Sequence, residues 1–520
     1  MLARTDGASF DVLVVGGGAT GLGVAVDAAS RGYSTCLVEA HDFAKGTSSR
    51  STKLVHGGVR YLEQLDLGLV TEALHERGRM HENAPHIVHD LAFIVPRYTW
   101  WEGPFYGAGL KLYDFLAGKR NLAPSRMLSV DDTIAAIPNV ARDGLLGSIE
   151  YHDGQFDDAR MALALALTAA EHGAVVLNRA QVTALSRSPS GALTGATVRD
   201  TESGRAIEIT ARVVVNACGI FADEVRAMDD AAATAIIEPA QGVHLVLPRE
   251  FQPSDRAIMV PHTDDGRVLF VIPWHGRVMV GTTDTPMPKS ALEPRALPDE
   301  VEFILRNASR YLERDPTREH VLSVFAGMRP LVHEGGIGGP TKKISRSHKV
   351  VVSPGGLVSI VGGKWTTYRR MAEDTLTRII EVGGLVDRPC VTESLRISGY
   401  LAREDSSMPK EDWARGHGSR AAEVKRVCAE RASWGGLMHP RLPYPLGIAA
   451  YSSRFEMARS VEDVLARRTR ALLLDARAAR ECAPRVAEVM AGELGWSAAQ
   501  ARASADEFVA LAAGYLLGAG

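Results

Sequence analysis

The chain has 520 residues, 46% hydrophobic and 23% charged, an ordinary globular balance with room for two or three cores. A net charge of −3 offers no basic field for nucleic acid, and five scattered cysteines with no C-x-x-C pair suit a reducing compartment and give no zinc pattern. Met1 to Phe10 has no apolar signal core and no later apolar run reaches about 18 residues, so neither a signal peptide nor a spanning helix is expected, while attachment to a membrane surface stays open.

Asp11 to Glu39 reads as strand, tight turn, helix, strand. Val12 to Val15 is a short uncharged run, as a buried parallel strand needs. Gly16, Gly18 and Gly21 then give G-x-G-x-x-G: a tight turn, close approach of backbone to a pyrophosphate, and close packing of helix on strand. The helix N-terminus that follows offers N–H groups and partial positive charge to that pyrophosphate. Glu39 ends the second strand, about 20 residues past the turn, where an acid binds a ribose hydroxyl. The element order predicts dinucleotide binding.

The next segment, AHDFAKGTSSRSTKLVHGGVRYLEQLDLG, places Thr47, Ser48, Ser49 and Ser51 beside the polar heads of Lys53, His56 and Arg60, with Gly57-Gly58 open to something flat. A segment directly after the second strand would lie along a bound dinucleotide. GTSSRSTKLVHGGVRYLE resembles the corresponding segment of the FAD-dependent, quinone-reducing glycerol-3-phosphate dehydrogenases, whose near relatives are peroxide-producing oxidases. The resemblance implies that Arg60 holds a substrate phosphate with Tyr61 nearby. It places Thr47, Ser48, Ser49, Thr52, Leu54, His56, Gly57 and Gly58 along the cofactor, with Gly16, Gly18, Gly21 and Glu39.

Leu69 to Asn83 is predicted as a polar helix ended before Pro85; its surroundings are rich in histidine but lack a metal-ligand pattern. Arg97 to Arg120 mixes Tyr98, Trp100, Trp101, Phe105, Tyr106, Tyr113 and Phe115 with Arg97, Lys111, Lys119 and Arg120. Leu110, Tyr113 and Leu116 share a helical face. Such a segment suits a membrane interface, a helix covering the sheet, or a subunit contact. In the resembled enzymes a basic amphipathic base meets the membrane and quinone enters nearby.

Asp153-Gly154 is a turn signal, Asp157 to His172 a helix, and Ala174 to Leu177 and Val182 to Leu185 strands. Leu193 to Arg199 and Ile207 to Thr210 read as arms of a meander, and Val213 to Cys218 as a separate buried strand before Gly219. From Ala240 to Asp284 the period becomes two, with four β-rich runs at hairpin spacing. His244 lies on the first run; an isolated histidine there is ordinarily a satisfied core residue, whereas the resemblance puts it in the active site as a proton acceptor. Relatives commonly carry lysine where this chain has Gln241.

Ala296 to Tyr311 is a predicted helix, Val321 to Phe325 a strand, and Arg329 before Pro330 an anion clamp or a surface arginine. Gly362-Gly363, Lys364, Trp365 and Thr366 open another helix, the element that meets the flavin's carbonyl edge in this class. Past Pro389 the chain reads as helices only, with Arg459, Arg467, Arg468 and Arg470 free to face lipid, a partner subunit or, by default, water.

The whole pattern is similar to the glycerol-3-phosphate dehydrogenase family. It implies an α/β protein with a discontinuous Rossmann-type FAD-binding domain (10–90, 150–235 and 340–385), an antiparallel-sheet substrate domain (91–149 and 236–339) of D-amino-acid-oxidase-like fold, and an all-helical C-terminal domain (390–520). The implied reaction oxidises sn-glycerol 3-phosphate at C2, with hydride passing to flavin N5 and electrons to a quinone; an oxidase using oxygen is the alternative. His244 is the expected base, with His56 as alternative and Arg329 also able to stabilise charge on oxygen. Arg60, Tyr61, Arg329, Lys364 and Thr283 are expected on the substrate, and Val182, Ala217 and Gly219 on FAD. A homodimer, attached peripherally to the inner face of the cell membrane from the cytoplasm, completes what the resemblance implies.

Overall fold

The structure is a computed structural model and describes residues 5–58, 67–332 and 348–518. The strand Ser9–Val15 lies inside the first sheet, paired in parallel with Thr35–Val38 on one side and Ala206–Asn216 on the other. Val12 and Val14 pack with the helices Ala19–Ser30, Asp158–Glu171 and Tyr368–Gly383. Leu13 and Val15 face the opposite side, under the strands Ala180–Arg187 and Leu193–Asp200. Both faces are therefore covered, which is why the strand carries no polar alternation.

Ile207 to Thr210 and Val213 to Cys218 are one strand rather than two. Ala206–Asn216 begins antiparallel to Leu193–Asp200 and ends parallel to Ser9–Val15. Ala211 and Arg212 supply no glycine or proline to break it, so the meander runs straight into the parallel sheet.

In the second sheet Ile237–Pro248 pairs with Ser323–Val332 and with Arg277–Gly281; Leu269–Trp274, Ala257–Val260, Val88–Pro96 and Ser148–Phe156 follow in that order. The sheet is antiparallel except where Ala257–Val260 meets Val88–Pro96 in parallel. Asp153-Gly154, read as a turn, sits inside Ser148–Phe156, where Gly154 lets the Val55 carbonyl approach to 3.0 Å of the space its Cβ would fill. The boundaries expected near 90 and 150 consequently cut through this sheet. Arg329 is carried within the strand Ser323–Val332.

The C-terminal helices Ile448–Phe455, Ala476–Leu494 and Ala498–Ala513 share one apolar core with Phe93, Ile272 and Phe325 of the second sheet. Three of the four arginines expected in water are buried. Arg467 Nε donates to Asp42 Oδ2 at 2.5 Å, Arg468 Nη2 to Asp42 Oδ1 at 2.9 Å, and Arg470 Nη2 to Asp158 Oδ1 at 3.0 Å. Only Arg459 keeps a surface partner, Glu202. Buried guanidiniums need buried carboxylates; Asp42 and Asp158 lie hundreds of residues away in sequence, and only Arg467 adds a buried near neighbour, Asp463, at 2.6 Å. No described helix is long and apolar enough to cross a membrane.

Candidate active site

A cavity of about 650 Å³ is lined by both sheets and by the loops that follow Ser9–Val15, Thr35–Val38, Ala206–Asn216 and Val358–Gly362. At one end Gly16 turns with φ +109°, and a Cβ on Gly21 would fall 1.9 Å from the Gly16 carbonyl oxygen, so helix and turn touch as the fingerprint requires. The Ala19 N–H at the helix start donates to Ser48 Oγ at 2.9 Å. Glu39 accepts from the Gly17 N–H at 2.7 Å and the His41 N–H at 2.8 Å, and burial raises its pKa above the usual carboxylate value. At the other end Gly362 (φ +77°) and Gly363 (φ +80°) lead into Trp365–Thr367. Trp365 Nε1 donates to the Ser48 carbonyl at 2.9 Å and the His56 N–H to Thr366 Oγ1 at 3.3 Å, tying the two loops together.

A glycine turn, a helix N-terminus and an acid at one end, and a second glycine-led helix start at the other, match the pyrophosphate, ribose and flavin of FAD. The cavity lining includes Gly16, Gly18, Glu39, Thr47, Ser48, Thr52, Leu54, His56 and Gly58, together with Val182, Ala217, Gly219 and Gly362 to Thr366. Gly21, Ser49 and Gly57 lie behind it. Gly21 packs on the turn, the Ser49 carbonyl accepts from Lys53 Nζ, and the Gly57 N–H donates to Tyr113 Oη. Arg60 and Tyr61 fall outside the described residues.

His244, Arg329, Lys364 and Thr282 to Asp284 also line the cavity. His244 and Phe325 face one another across the pairing of Ile237–Pro248 with Ser323–Val332, their rings stacked at 4.9 Å and 13°. His244 Nε2 lies 3.0 Å from Thr52 Oγ1, and Nδ1 is buried with no hydrogen-bond partner among the described residues. Burial above all, then the charges of Lys53 and Arg329, hold this imidazole well below the ordinary histidine pKa. Arg329 donates to Asp284 Oδ1 at 3.0 Å and to the Thr283 carbonyl at 3.1 Å. Two glycines make the room: a Cβ on Gly242 would sit 2.4 Å from Arg329 Nη2, and one on Gly281 2.3 Å from His244 Cδ2.

Thr283 borders the cavity, but its hydroxyl is committed to the Val243 N–H (3.0 Å) and to Glu300 Oε1 (2.9 Å). The hydroxyl near Arg329 belongs to Thr282, at 3.3 Å. Gln241 turns away, donating to Glu300 Oε2 and the Arg295 carbonyl. The period of two in Ile237–Pro248 carries that difference, since Gly242 and His244 share the cavity face. Arg50, Asp284, Phe93, Tyr106, Tyr151 and Phe270 also line the cavity, although the sequence assigned none of them a place in the site.

Residues 11–369 match the family model described as FAD dependent oxidoreductase, and residues 358–501 that of the C-terminal domain of alpha-glycerophosphate oxidase. The chain is 42% identical over 530 residues to a probable mitochondrial glycerol-3-phosphate dehydrogenase of Caenorhabditis elegans, covering 97% of this chain and 73% of that protein. Among solved structures it resembles the glycerol-3-phosphate dehydrogenase of Bacillus halodurans complexed with FAD, with TM-score 0.81 and 30% identity over 100% of this chain and 97% of that one. L-alpha-glycerophosphate oxidase of Mycoplasma pneumoniae shares the fold at TM-score 0.56 and 18% identity, over 72% of this chain and 95% of its own.

Proposed function

We propose, from the premise that this chain belongs to the FAD-dependent glycerol-3-phosphate dehydrogenase family, that it oxidises sn-glycerol 3-phosphate to dihydroxyacetone phosphate. The observation that carries the reading is the gathering of Arg329 and Lys364, from distant segments, into the cavity that also holds His244 and the glycine-rich turn. Two cations suit a phosphate dianion better than a lone carboxylate, and Arg60 is proposed as a third. FAD bound there supplies the hydride acceptor for C2 and the redox couple that hands two electrons to a further acceptor.

The chain's own part is to hold and deprotonate. Arg329 and Lys364 grip the phosphate and fix C2 in place. His244 receives the hydroxyl proton at Nε2, the nitrogen now shared with Thr52; His56, also on the cavity wall, is the alternative acceptor. A neutral imidazole is the form that this step needs. Stacking against Phe325 sets the plane of the ring.

The proposed electron acceptor is a quinone, reached from the membrane surface on the inner face of the cell membrane. Support comes from the helix Glu102–Ala117. Tyr106 on this helix lines the cavity, while Trp100 before it and Phe115 on it are 79% and 80% exposed. Anaerobic mixing with glycerol 3-phosphate tests the whole reading. Bleaching of the flavin absorbance is expected, followed by reoxidation with a soluble quinone and little peroxide in air. Full flavin content without bleaching overturns the substrate; rapid peroxide release overturns the acceptor.

A further inference from the structure

Lys53 reads in the sequence as a polar head beside the cofactor, but its side chain is fully buried and does not line the cavity. A left-handed backbone (φ +62°) turns it inward. Its Nζ donates to Asp158 Oδ2 at 2.7 Å and to the Ser49 carbonyl at 2.9 Å, and lies 5.2 Å from the ring centre of Phe325 and 5.5 Å from that of Trp274. Phe325 is the ring on which His244 stacks. One aromatic side chain thus carries an ammonium and an imidazole against it.

We propose that Lys53 is a positioning residue for the reaction: its charge, held against Phe325, keeps the His244 imidazole neutral and ready to accept the substrate's hydroxyl proton. The proposal rests on the reading of His244 as the base. A doubly protonated ring would be a cation buried in the wall of the cavity. It would also place a third cation beside Lys53 and Arg329, the charged groups that act on it. Lys53 for its part faces Asp158, Asp157 and Arg470, with His275 bound to the far side of Asp157. Burial lowers Lys53 to about 8, with Asp158 opposing the fall. Asp158 does not depend on Lys53 alone, for it also accepts from Ser51 Oγ and Arg470, so an apolar replacement of similar length is tolerable.

The test is a pH titration of the FAD-loaded enzyme carrying ring-labelled histidine, with the His244 resonance assigned through His244→Gln. In the native enzyme His244 is expected to stay neutral at pH 6.5, with a small step near pH 8 as Lys53 loses its proton. Lys53→Met should raise the His244 midpoint by about one pH unit, and Lys53→Arg should keep it low while abolishing the step. The acid limb of the flavin-bleaching rate should move with the midpoint. A charged His244 at pH 6.5 in the native enzyme overturns the proposal, as does an unmoved midpoint in folded Lys53→Met. Should Lys53→Met fail to fold, a His244 resonance that does not respond while Lys53, followed by its own labelled Nζ, loses its proton in the native enzyme overturns it alone. A shifted midpoint with an unshifted rate profile upholds the Lys53 effect on His244 and overturns the base assignment beneath it.

Discussion

His244 and Arg329 do separable jobs in the proposed chemistry, and their variants should fail differently. His244→Gln keeps a side chain of similar reach but cannot take a proton at neutral pH, so flavin reduction by glycerol 3-phosphate should slow by about 10²- to 10⁴-fold with the cofactor still bound. Stopped-flow absorbance reads this directly; a rate within threefold of native would transfer the role to His56. Arg329→Ala removes charge-assisted hydrogen bonds to an anion, on the order of 1.5–3 kcal/mol. A KM raised about ten- to a hundredfold is expected, with a smaller change in kcat, read from steady-state kinetics. At this scale the sequence was legible where a motif is local: the glycine turn, Glu39 and the Gly362 to Thr366 segment can be read from spacing. Thr283 and Lys53 could not be read that way. Whether a hydroxyl or ammonium points into a cavity depends on Glu300 and Asp158, which are remote in sequence.

Among the elements, the loop that joins Leu269–Trp274 to Arg277–Gly281 carries His275, whose Nδ1 lies 2.5 Å from Asp412 Oδ2 and Nε2 3.7 Å from Asp157 Oδ2. Burial alone would lower its pKa, but the two carboxylates raise it to about 9. A histidine that binds its proton more tightly when folded stabilises fully below the unfolded value near pH 6.5, and that contribution is lost as the pH rises through about 9. The melting temperature of the holoenzyme should therefore fall between pH 7 and pH 10. His275→Asn should lose about 2–4 °C at pH 7 and show a flatter alkaline decline in calorimetry. The helix Glu102–Ala117 gives a second test at this scale. Tyr106, Leu110, Tyr113 and Ala117 bury one face, whereas Phe105, Leu112 and Phe115 are exposed on the other. Its sequence announced amphipathicity without saying which face was spoken for; packing against the second sheet decides that. Trp100→Ser with Phe115→Ser should weaken sedimentation with anionic vesicles about tenfold or more while leaving flavin reduction in solution unchanged.

Across the whole molecule, the helical end of the chain is fastened to the cofactor loop. Asp42, fully buried just after Glu39, receives both Arg467 and Arg468, and Lys45 on the same loop bonds Glu462 at 2.5 Å. Arg468→Ala leaves that carboxylate with one partner fewer, and breaking a buried pair costs on the order of 3–5 kcal/mol. FAD should dissociate at least tenfold faster on dilution, measured by recovery of flavin fluorescence, and Asp42→Asn with Arg468→Met should restore part of the loss. Composition and hydrophobic pattern foretold a helical C-terminal region; they gave no sign that its arginines turn inward, because a run of arginines reads alike on a wet face and a buried one.

That fastening has a consequence for how the enzyme is made. The two ends of the Asp42–Arg468 contact are 426 positions apart. At about 5–20 residues per second, a ribosome needs roughly 20–85 s to travel from one to the other. Throughout that interval the nascent cofactor loop holds a carboxylate destined for burial whose arginine partners have not been synthesised. Stable capture of FAD is accordingly expected late, once the segment that carries Arg467 and Arg468 has emerged.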